Sequence, residues 1–117
     1  MAFFKKNGTV ELDQQTISSI ISEGCVIEGS LNAPAFVRID GQINGNVTIE
    51  QGLILGEKGN IQGNVHTKQM VVYGNIDGDI NTEILEIRST GKITGKITTG
   101  RIQVDAGAVY NGSLSMA

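Results

Sequence analysis

The stretch Gly41-Gln42-Ile43-Asn44-Gly45-Asn46-Val47 has the form G-x-I-x-G-x-V, and it is the unit from which the fold can be predicted. The same pattern, with Ile or Val in the last position, returns in copies that begin at Gly59, Gly74 and Gly91. Two looser copies, each one residue longer, begin at Gly24 and Gly107. The chain is therefore built from six copies of one unit.

The spacing of the copies indicates the kind of repeat. The second glycines of the six copies are separated by 16, 18, 15, 17 and 17 residues. These periods are too short for a repeat that contains a helix, and they fit one winding of a β-solenoid. Left-handed hexapeptide helices keep nearly constant windings, whereas these windings drift in length, and parallel crossovers are right-handed by default. The spacing therefore predicts an all-β, right-handed parallel β-helix of about six windings.

Each winding also contains a second apolar strand of three residues, such as Val37-Arg38-Ile39 or Leu53-Ile54-Leu55. The alternation of side chains along a strand places the outer two residues of each trio inward and the middle one outward. The motif isoleucines should form one internal ladder: Ile43, Ile61, Ile76 and Ile93. Extra residues fall between a trio and the next motif, which predicts that they are confined to one corner. We expect residues 1–15 to be a flexible leader and linker, and residues 16–117 to be the β-helix domain.

The totals restrict the classes of partner. The chain of 117 residues has 9 basic and 12 acidic side chains, a net charge of -3, and therefore no extended basic face for nucleic acid. Its one cysteine, Cys25, cannot form an internal disulfide, and no apolar run reaches the roughly 20 residues of a membrane-spanning helix. These features predict a cytoplasmic protein.

Groups that could carry catalysis are few. His66 is the only histidine, and it lies at an outward position, where a solvated surface side chain is expected. Asp77 and Asp79 bracket Gly78, but the equivalent positions of other windings are mostly not acidic, so they form no metal ladder of the kind found in calcium-binding β-rolls. No glycine-rich phosphate loop is present. We therefore predict no catalytic, cofactor-binding or metal-binding residues, no cofactor and no enzymatic activity.

The ends of the column are the strongest functional candidates. A β-solenoid ends in a winding of unpaired backbone groups, which monomeric solenoids cover with a cap. No cap is evident here, and unless residues 10–15 or the leader fold over one end, the end windings should stack on other copies. The predicted polymerisation residues are Ile17, Ile20, Ile21 and Val26 at one end, and Val109, Tyr110, Leu114 and Met116 at the other. A lateral apolar patch is a weaker candidate, formed by Phe36, Ile54, Val71 and Ile84, which a register error of one residue would place inside.

Across residues 16–116, the repeated motif, Val37-Arg38-Ile39-Asp40-Gly41 and the closing stretch Gly107 to Met116 resemble those of the bactofilins, bacterial cytoskeletal proteins with a β-helical core. The start of the chain, Met1-Ala2-Phe3-Phe4-Lys5-Lys6, is similar to the membrane-targeting leader of many members. Their long C-terminal tail has no counterpart after Ala117.

The resemblance implies nucleotide-independent self-assembly into non-polar filaments, joined head to head and tail to tail, in which Tyr110 matches a large apolar contact residue. It also implies a location at the inner face of the cytoplasmic membrane, a role in cell shape, and peptidoglycan synthases or hydrolases as partners. Two alternatives from other classes remain at this point: a left-handed hexapeptide acyltransferase with His66 as general base, and a small monomeric binding solenoid that uses the Ile54 and Val71 side.

Overall fold

A computed structural model describes residues 19–116, and within that range every regular element is a β-strand. The strands are β1 (Ser19–Ile21), β2 (Val26–Glu28), β3 (Leu31–Ala33), β4 (Phe36–Ile39), β5 (Gln42–Asn44), β6 (Val47–Leu55), β7 (Asn60–Gln62), β8 (Val65–Val72), β9 (Asn75–Asp77), β10 (Ile80–Ile87), β11 (Lys92–Val104) and β12 (Val109–Met116). All strand pairs are parallel. Each strand pairs with its counterpart one winding away, so the chain forms a β-solenoid.

Three stretches of strand make one winding. In the first winding these are β1, β2 and β3, and they pair with β4, β5 and β6 of the second. The longer strands β6, β8, β10 and β11 continue across the corner between the end of one winding and the trio of the next. Six windings result, as the sequence predicts. The proposed boundary between leader and domain lies outside the described residues.

The internal ladder of motif isoleucines is confirmed by the strand register. Ile43 pairs with Ile61, Ile61 with Ile76, and Ile76 with Ile93, and all four are buried. Ile27 extends the ladder at one end and Tyr110 at the other. A narrow bore of Ile, Val and Leu is therefore the only core that this part of the chain builds, and each winding is stabilised by covering its neighbour.

The second glycines form a column of their own at one corner. All six have positive φ, from +120° at Gly29 to +154° at Gly45, a region that side chains with a Cβ rarely adopt. A Cβ added to Gly63 would lie 2.1 Å from the carbonyl oxygen of Gly45 on the preceding winding. Glycine is therefore required both by backbone conformation and by the close approach of successive windings.

Polar side chains satisfy backbone groups at two corners. Beside the glycine column, the side-chain oxygens of Asn46 and Asn64 accept the backbone N–H groups of Asn64 and Asp79 on the next windings, each at 3.1 Å. At another corner the buried hydroxyl of Thr82 donates to the carbonyl oxygens of Lys68 and Ile84, at 3.1 and 3.2 Å. These bonds connect windings or close corners where ladder bonds are missing.

The expectation that extra residues are confined to one corner is only partly correct. The longer corners do lie between trio and motif, and they close through hydrogen bonds such as Gly59 N–H to Gly56 O at 2.8 Å. A second irregularity lies between Ile49 and Gly52, where the register against β8 shifts. There Glu50 and Gln51 stand opposite the single residue Lys68, which is a β-bulge. Bulges extend a winding by one residue without displacing the flanking inward side chains.

Candidate functional site: the ends of the column

The C-terminal end is an open apolar surface. The inward positions of the sixth winding continue core columns: Val104 pairs with Ile87, Leu114 with Ile97 and Met116 with Thr99. No winding follows among the described residues, so these three side chains are 53%, 43% and 57% exposed. Among the strands of residues 19–116, β12 pairs only with β11, which leaves its other edge without a ladder partner there. Both the side chains and the backbone of this end can be covered by another molecule.

Tyr110 covers the isoleucine ladder at this end. Its ring stands over Ile93 in the isoleucine ladder and packs against the core. Its hydroxyl donates to the carbonyl oxygens of Gly95, at 3.0 Å, and of Ser113. Burial raises the pKa of Tyr110 above its usual value of 10.0, and the backbone of Ile97 acts in the opposite direction. The side chain of Tyr110 is therefore uncharged at neutral pH and is held by its hydrogen bonds, rather than being freely exposed.

The N-terminal end has the same construction. Strands β1, β2 and β3 each pair with one neighbour only, so each has an open edge within the described part of the chain. Four inward residues of this winding are half-buried and pack on the core beneath them: Ile21, Ile27, Leu31 and Ala33. This end can therefore also accept a stacking partner.

The structure places the predicted end residues in two groups. Ile21, Tyr110, Leu114 and Met116 are inward residues of the end windings, on the surfaces that a stacked copy would cover. Ile20, Val26 and Val109 pair with Arg38, Gln42 and Lys92, which are outward positions, so they border the ends instead of forming their apolar floor. The eighth predicted residue, Ile17, lies outside the described residues.

Sequence reasoning missed part of each end. The sequence pattern makes Ile102 and Val104 one more ordinary trio, although no seventh winding follows among the described residues to cover them. Ile27, Leu31 and Ala33 hold the equivalent place at the other end. Counting windings from both ends of the repeat would have identified all five, because the inward residues of a first or last winding have a neighbour on one side only.

The predicted lateral patch is on the outward side of the sheet but is not an exposed surface. Ile54 and Val71 pair with each other, alternate with core residues and lie outside the core cluster, yet they are only 3% and 8% exposed. Phe36 and Ile84 lie in the neighbouring outward column and are half-buried. The alternation of side chains thus predicted the correct side of the sheet, but Ile54 and Val71 are not exposed as that side would suggest.

The remaining candidate groups do not converge. His66, Asp77 and Asp79 are exposed at outward positions, and Cys25 is exposed in the first winding. Residues 19–116 contain no cluster of three or more His, Cys, Asp or Glu that could hold a metal ion. Over the same range, no helix has the length and hydropathy needed to cross a bilayer. The predicted membrane-targeting residues, Met1, Ala2, Phe3, Phe4, Lys5 and Lys6, lie outside the described residues.

Comparisons with known proteins point in one direction. The model of the bactofilin family, described as polymer-forming cytoskeletal, matches residues 19–115. Among curated proteins, BacP of Myxococcus xanthus (strain DK1622) is 28% identical over 100 residues, which cover 85% of this chain and 42% of BacP. BacO of the same organism is 22% identical over 100 residues, covering 85% of this chain and 79% of BacO. The chain therefore spans less than half the length of one of these relatives.

Two solved structures share the fold. A cryo-EM reconstruction of Thermus thermophilus bactofilin double helical filaments superposes with a TM-score of 0.82 at 26% identity, covering 85% of this chain and 99% of that one. A crystal structure of a phenylalanine-to-arginine mutant of Thermus thermophilus bactofilin gives a TM-score of 0.73 at 24% identity, covering 76% of this chain and 99% of that one. The described column is thus similar to a subunit seen within a filament.

Proposed function

This chain belongs to the bactofilin family of polymer-forming cytoskeletal proteins, and from that premise we propose that it assembles end to end into non-polar filaments without nucleotide. The observation that supports this proposal is the pair of end windings of the described column, each with strand edges that no other described strand pairs and with apolar inward side chains. Fully burying one side chain such as Leu114 contributes about 1.5–3 kcal/mol. A junction between two C-terminal ends covers such residues from both copies, which favours assembly.

The test is sedimentation and negative-stain microscopy of the purified chain, with and without ATP or GTP, and after treatment with a nucleotide-hydrolysing enzyme. We expect the same filaments in every condition. Discrete trimers that bind coenzyme A would instead favour the acyltransferase alternative. A monomer at all concentrations would favour the binding solenoid.

The polarity of the filament needs its own experiment. In a non-polar filament the two copies at a junction meet through the same surface, related by a two-fold axis. Ser115 is exposed on the last winding, so Ser115→Cys, in a chain with Cys25→Ser, should give disulfide-linked dimers when filaments are oxidised. A head-to-tail filament would bring Ser115 against the first winding of the next copy. Filaments that form but give no such dimers would contradict the non-polar arrangement.

We further propose that filaments lie on the inner face of the cytoplasmic membrane, where they support cell shape or the localisation of peptidoglycan synthases or hydrolases. The leader residues support this proposal: Phe3 and Phe4 can contribute about 1.5–3 kcal/mol each when buried, and Lys5 and Lys6 about 1 kcal/mol each near anionic headgroups. One leader binds weakly after the cost of ordering it. A filament presents many leaders at once and gains avidity.

Co-sedimentation with anionic vesicles tests the membrane proposal. Deleting residues 2–6 should release filaments from vesicles and leave them assembled. An assembly-deficient variant that keeps its leader should bind vesicles more weakly than the parent. Undiminished binding by the deletion variant would show that the leader is not the anchor, and undiminished binding by the assembly variant would show that avidity is not required.

A further inference from the structure

Two Asn-Gly pairs occupy the same place in different windings. Asn44-Gly45 lies in the second winding and Asn111-Gly112 in the sixth, and the strand register joins both asparagines in one column. A third pair, Asn7-Gly8, lies outside the described residues. Asparagine is a chemically labile residue, above all before glycine, which has no Cβ to hinder attack by its own backbone nitrogen. The column therefore contains one labile pair inside the fold and one at its C-terminal end.

The pair inside the fold is restrained. The side-chain oxygen of Asn44 accepts a hydrogen bond from the Gln42 amide at 3.0 Å. The N–H of Gly45 donates to the carbonyl oxygen of Gln62 on the next winding at 2.9 Å. Strand β5, which contains Asn44, is paired on both edges, with β2 and β7. The attacking nitrogen and the carbonyl group that it would attack are thus both held, and they can meet only if two ladders open.

The pair at the C-terminal end has none of these restraints from the described residues. Asn111 is exposed, and the place of Gln42 is taken by Val109, whose side chain cannot donate a hydrogen bond. In the first four windings the N–H of the second glycine bonds to the following winding. No winding follows Gly112 within residues 19–116, and β12 is paired there on one edge only. The Asn111 site can therefore open far more easily than the Asn44 site.

We infer that Asn111-Gly112 is a site of spontaneous chemical modification, and that another copy covering the C-terminal end suppresses the reaction. The backbone nitrogen of Gly112 attacks the side-chain carbonyl carbon of Asn111 and forms a C–N bond. The bond from that carbon to the side-chain nitrogen breaks, and ammonia leaves with the proton of the attacking nitrogen. Water then opens the succinimide ring at either of its carbonyl carbons, which gives aspartate or isoaspartate. Water is the only other reactant.

The products alter the surface that another copy would meet. Either product places a carboxylate on the last winding, and a junction between two C-terminal ends brings two such charges together, which is unfavourable. Isoaspartate also adds a methylene to the backbone of β12, which displaces Leu114 and Met116 from their partners on β11. Both the suppression by assembly and the loss of assembly rest on the proposed function. Chains that stay unassembled should therefore lose the ability to join filaments as they age.

The reactivity is measured without filaments, in the full chain with Leu114→Arg, which puts a charge on the apolar end and leaves residues 109–113 unchanged. After incubation at mildly alkaline pH, peptide mapping by mass spectrometry should show product at Asn111 forming about tenfold or more faster than at Asn44 of the same molecules. In guanidinium chloride, where the fold is lost, the two rates should converge. Similar rates in the folded chain overturn the proposal, and so does an unchanged difference in denaturant.

Sedimented filaments of the parent chain measure the protection by assembly. Asn111 should react several-fold more slowly in filaments than in the Leu114→Arg chain, while the rate at Asn44 stays the same. Filaments in which Asn111 reacts as fast as in the unassembled variant overturn the protection and leave the proposed function standing. A parent chain that forms no filaments contradicts the proposed function, and the ratio of the two rates in the Leu114→Arg chain still decides the reactivity.

Ageing before assembly measures the effect of the modification. Parent chain kept below the concentration at which it assembles, and then concentrated, should form fewer filaments than Asn111→Gln treated in the same way. Glutamine is the matched control because it keeps the amide but closes the corresponding larger ring far more slowly. An equal loss of filaments in both proteins would overturn the link between this site and assembly.

Discussion

Tyr110 stands directly over Ile93, its register partner on the preceding winding, and its hydroxyl donates to the carbonyl oxygen of Gly95 two residues further along the same strand. An aromatic residue thus occupies the last place in a ladder of isoleucines. Its ring covers the end of that ladder, and its hydroxyl donates to a backbone carbonyl at the corner. The same residue therefore belongs to the core of the subunit and to the surface that another subunit would meet.

Tyr110→Arg should prevent junctions at the C-terminal end. A guanidinium at this position would be buried between two copies without a partner, with an effective desolvation penalty of several kcal/mol. We expect a folded monomer, or a dimer joined through the other end, in sedimentation velocity. Tyr110→Phe is the matched control because it keeps the ring and should still form filaments. Long filaments from the arginine variant would place the junction elsewhere.

Alkaline pH should destabilise the last winding through Tyr110. Because burial raises the pKa of this phenol above 10.0 in the folded chain, the folded state holds the proton more tightly than the unfolded state. Its contribution to stability is therefore complete below pH 10 and is lost as the pH rises through the folded-state pKa. Denaturant unfolding from neutral to alkaline pH measures the loss, which should be smaller in Tyr110→Phe. The same dependence of stability on pH in both proteins would contradict this role of Tyr110.

Ile76→Ala tests the ladder in the middle of the column. The side chain is 2% exposed, and its truncation leaves a cavity between Ile61 and Ile93, which should cost about 2–5 kcal/mol in the free energy of unfolding. Ile84→Ala, on the outward side, should cost about 1 kcal/mol, the typical effect of a point mutation. Urea unfolding of an assembly-deficient background measures both. If Ile76→Ala unfolded like its parent, the ladder would not be the source of stability.

Gly63→Ala and Gly29→Ala separate two requirements of the glycine column. Both residues have positive φ, so alanine is strained at either position, at a cost of about 1–3 kcal/mol. At Gly63 the new Cβ would also lie 2.1 Å from the carbonyl oxygen of Gly45, whereas at Gly29, in the first winding, nothing lies within 4 Å. We therefore expect Gly29→Ala to fold with reduced stability and Gly63→Ala to fold poorly. Equal loss of stability, by thermal unfolding, would mean that backbone strain alone explains the glycines.

The sequence predicts the parts of this structure that repeat. Ile43, Ile61 and Ile76 recur at one motif position, so their common ladder follows from period and parity alone. The period alone does not show how residues of the first and last windings are exposed, or how contacts outside the repeat bury a residue. Val109 is apolar and belongs to the last winding, but parity against Lys92 places it outward. Ile54 has outward parity as predicted, but it is only 3% exposed, which the period of the repeat does not predict.

The corners between trio and motif make positions along the surface of a subunit chemically distinguishable. Long corners, closed by bonds such as Gly59 N–H to Gly56 O and Gly91 N–H to Arg88 O, are separated by the short corner at Tyr73 and Gly74. The projecting pairs Glu57-Lys58 and Ser89-Thr90 therefore lie two windings apart, at about 10 Å rather than about 5 Å. One edge of the rod thus carries exposed residue pairs of different chemistry at unequal spacing along its axis. A protein that binds this edge can recognise one position along a subunit. Peptides inserted at these corners should leave the ladders undisturbed.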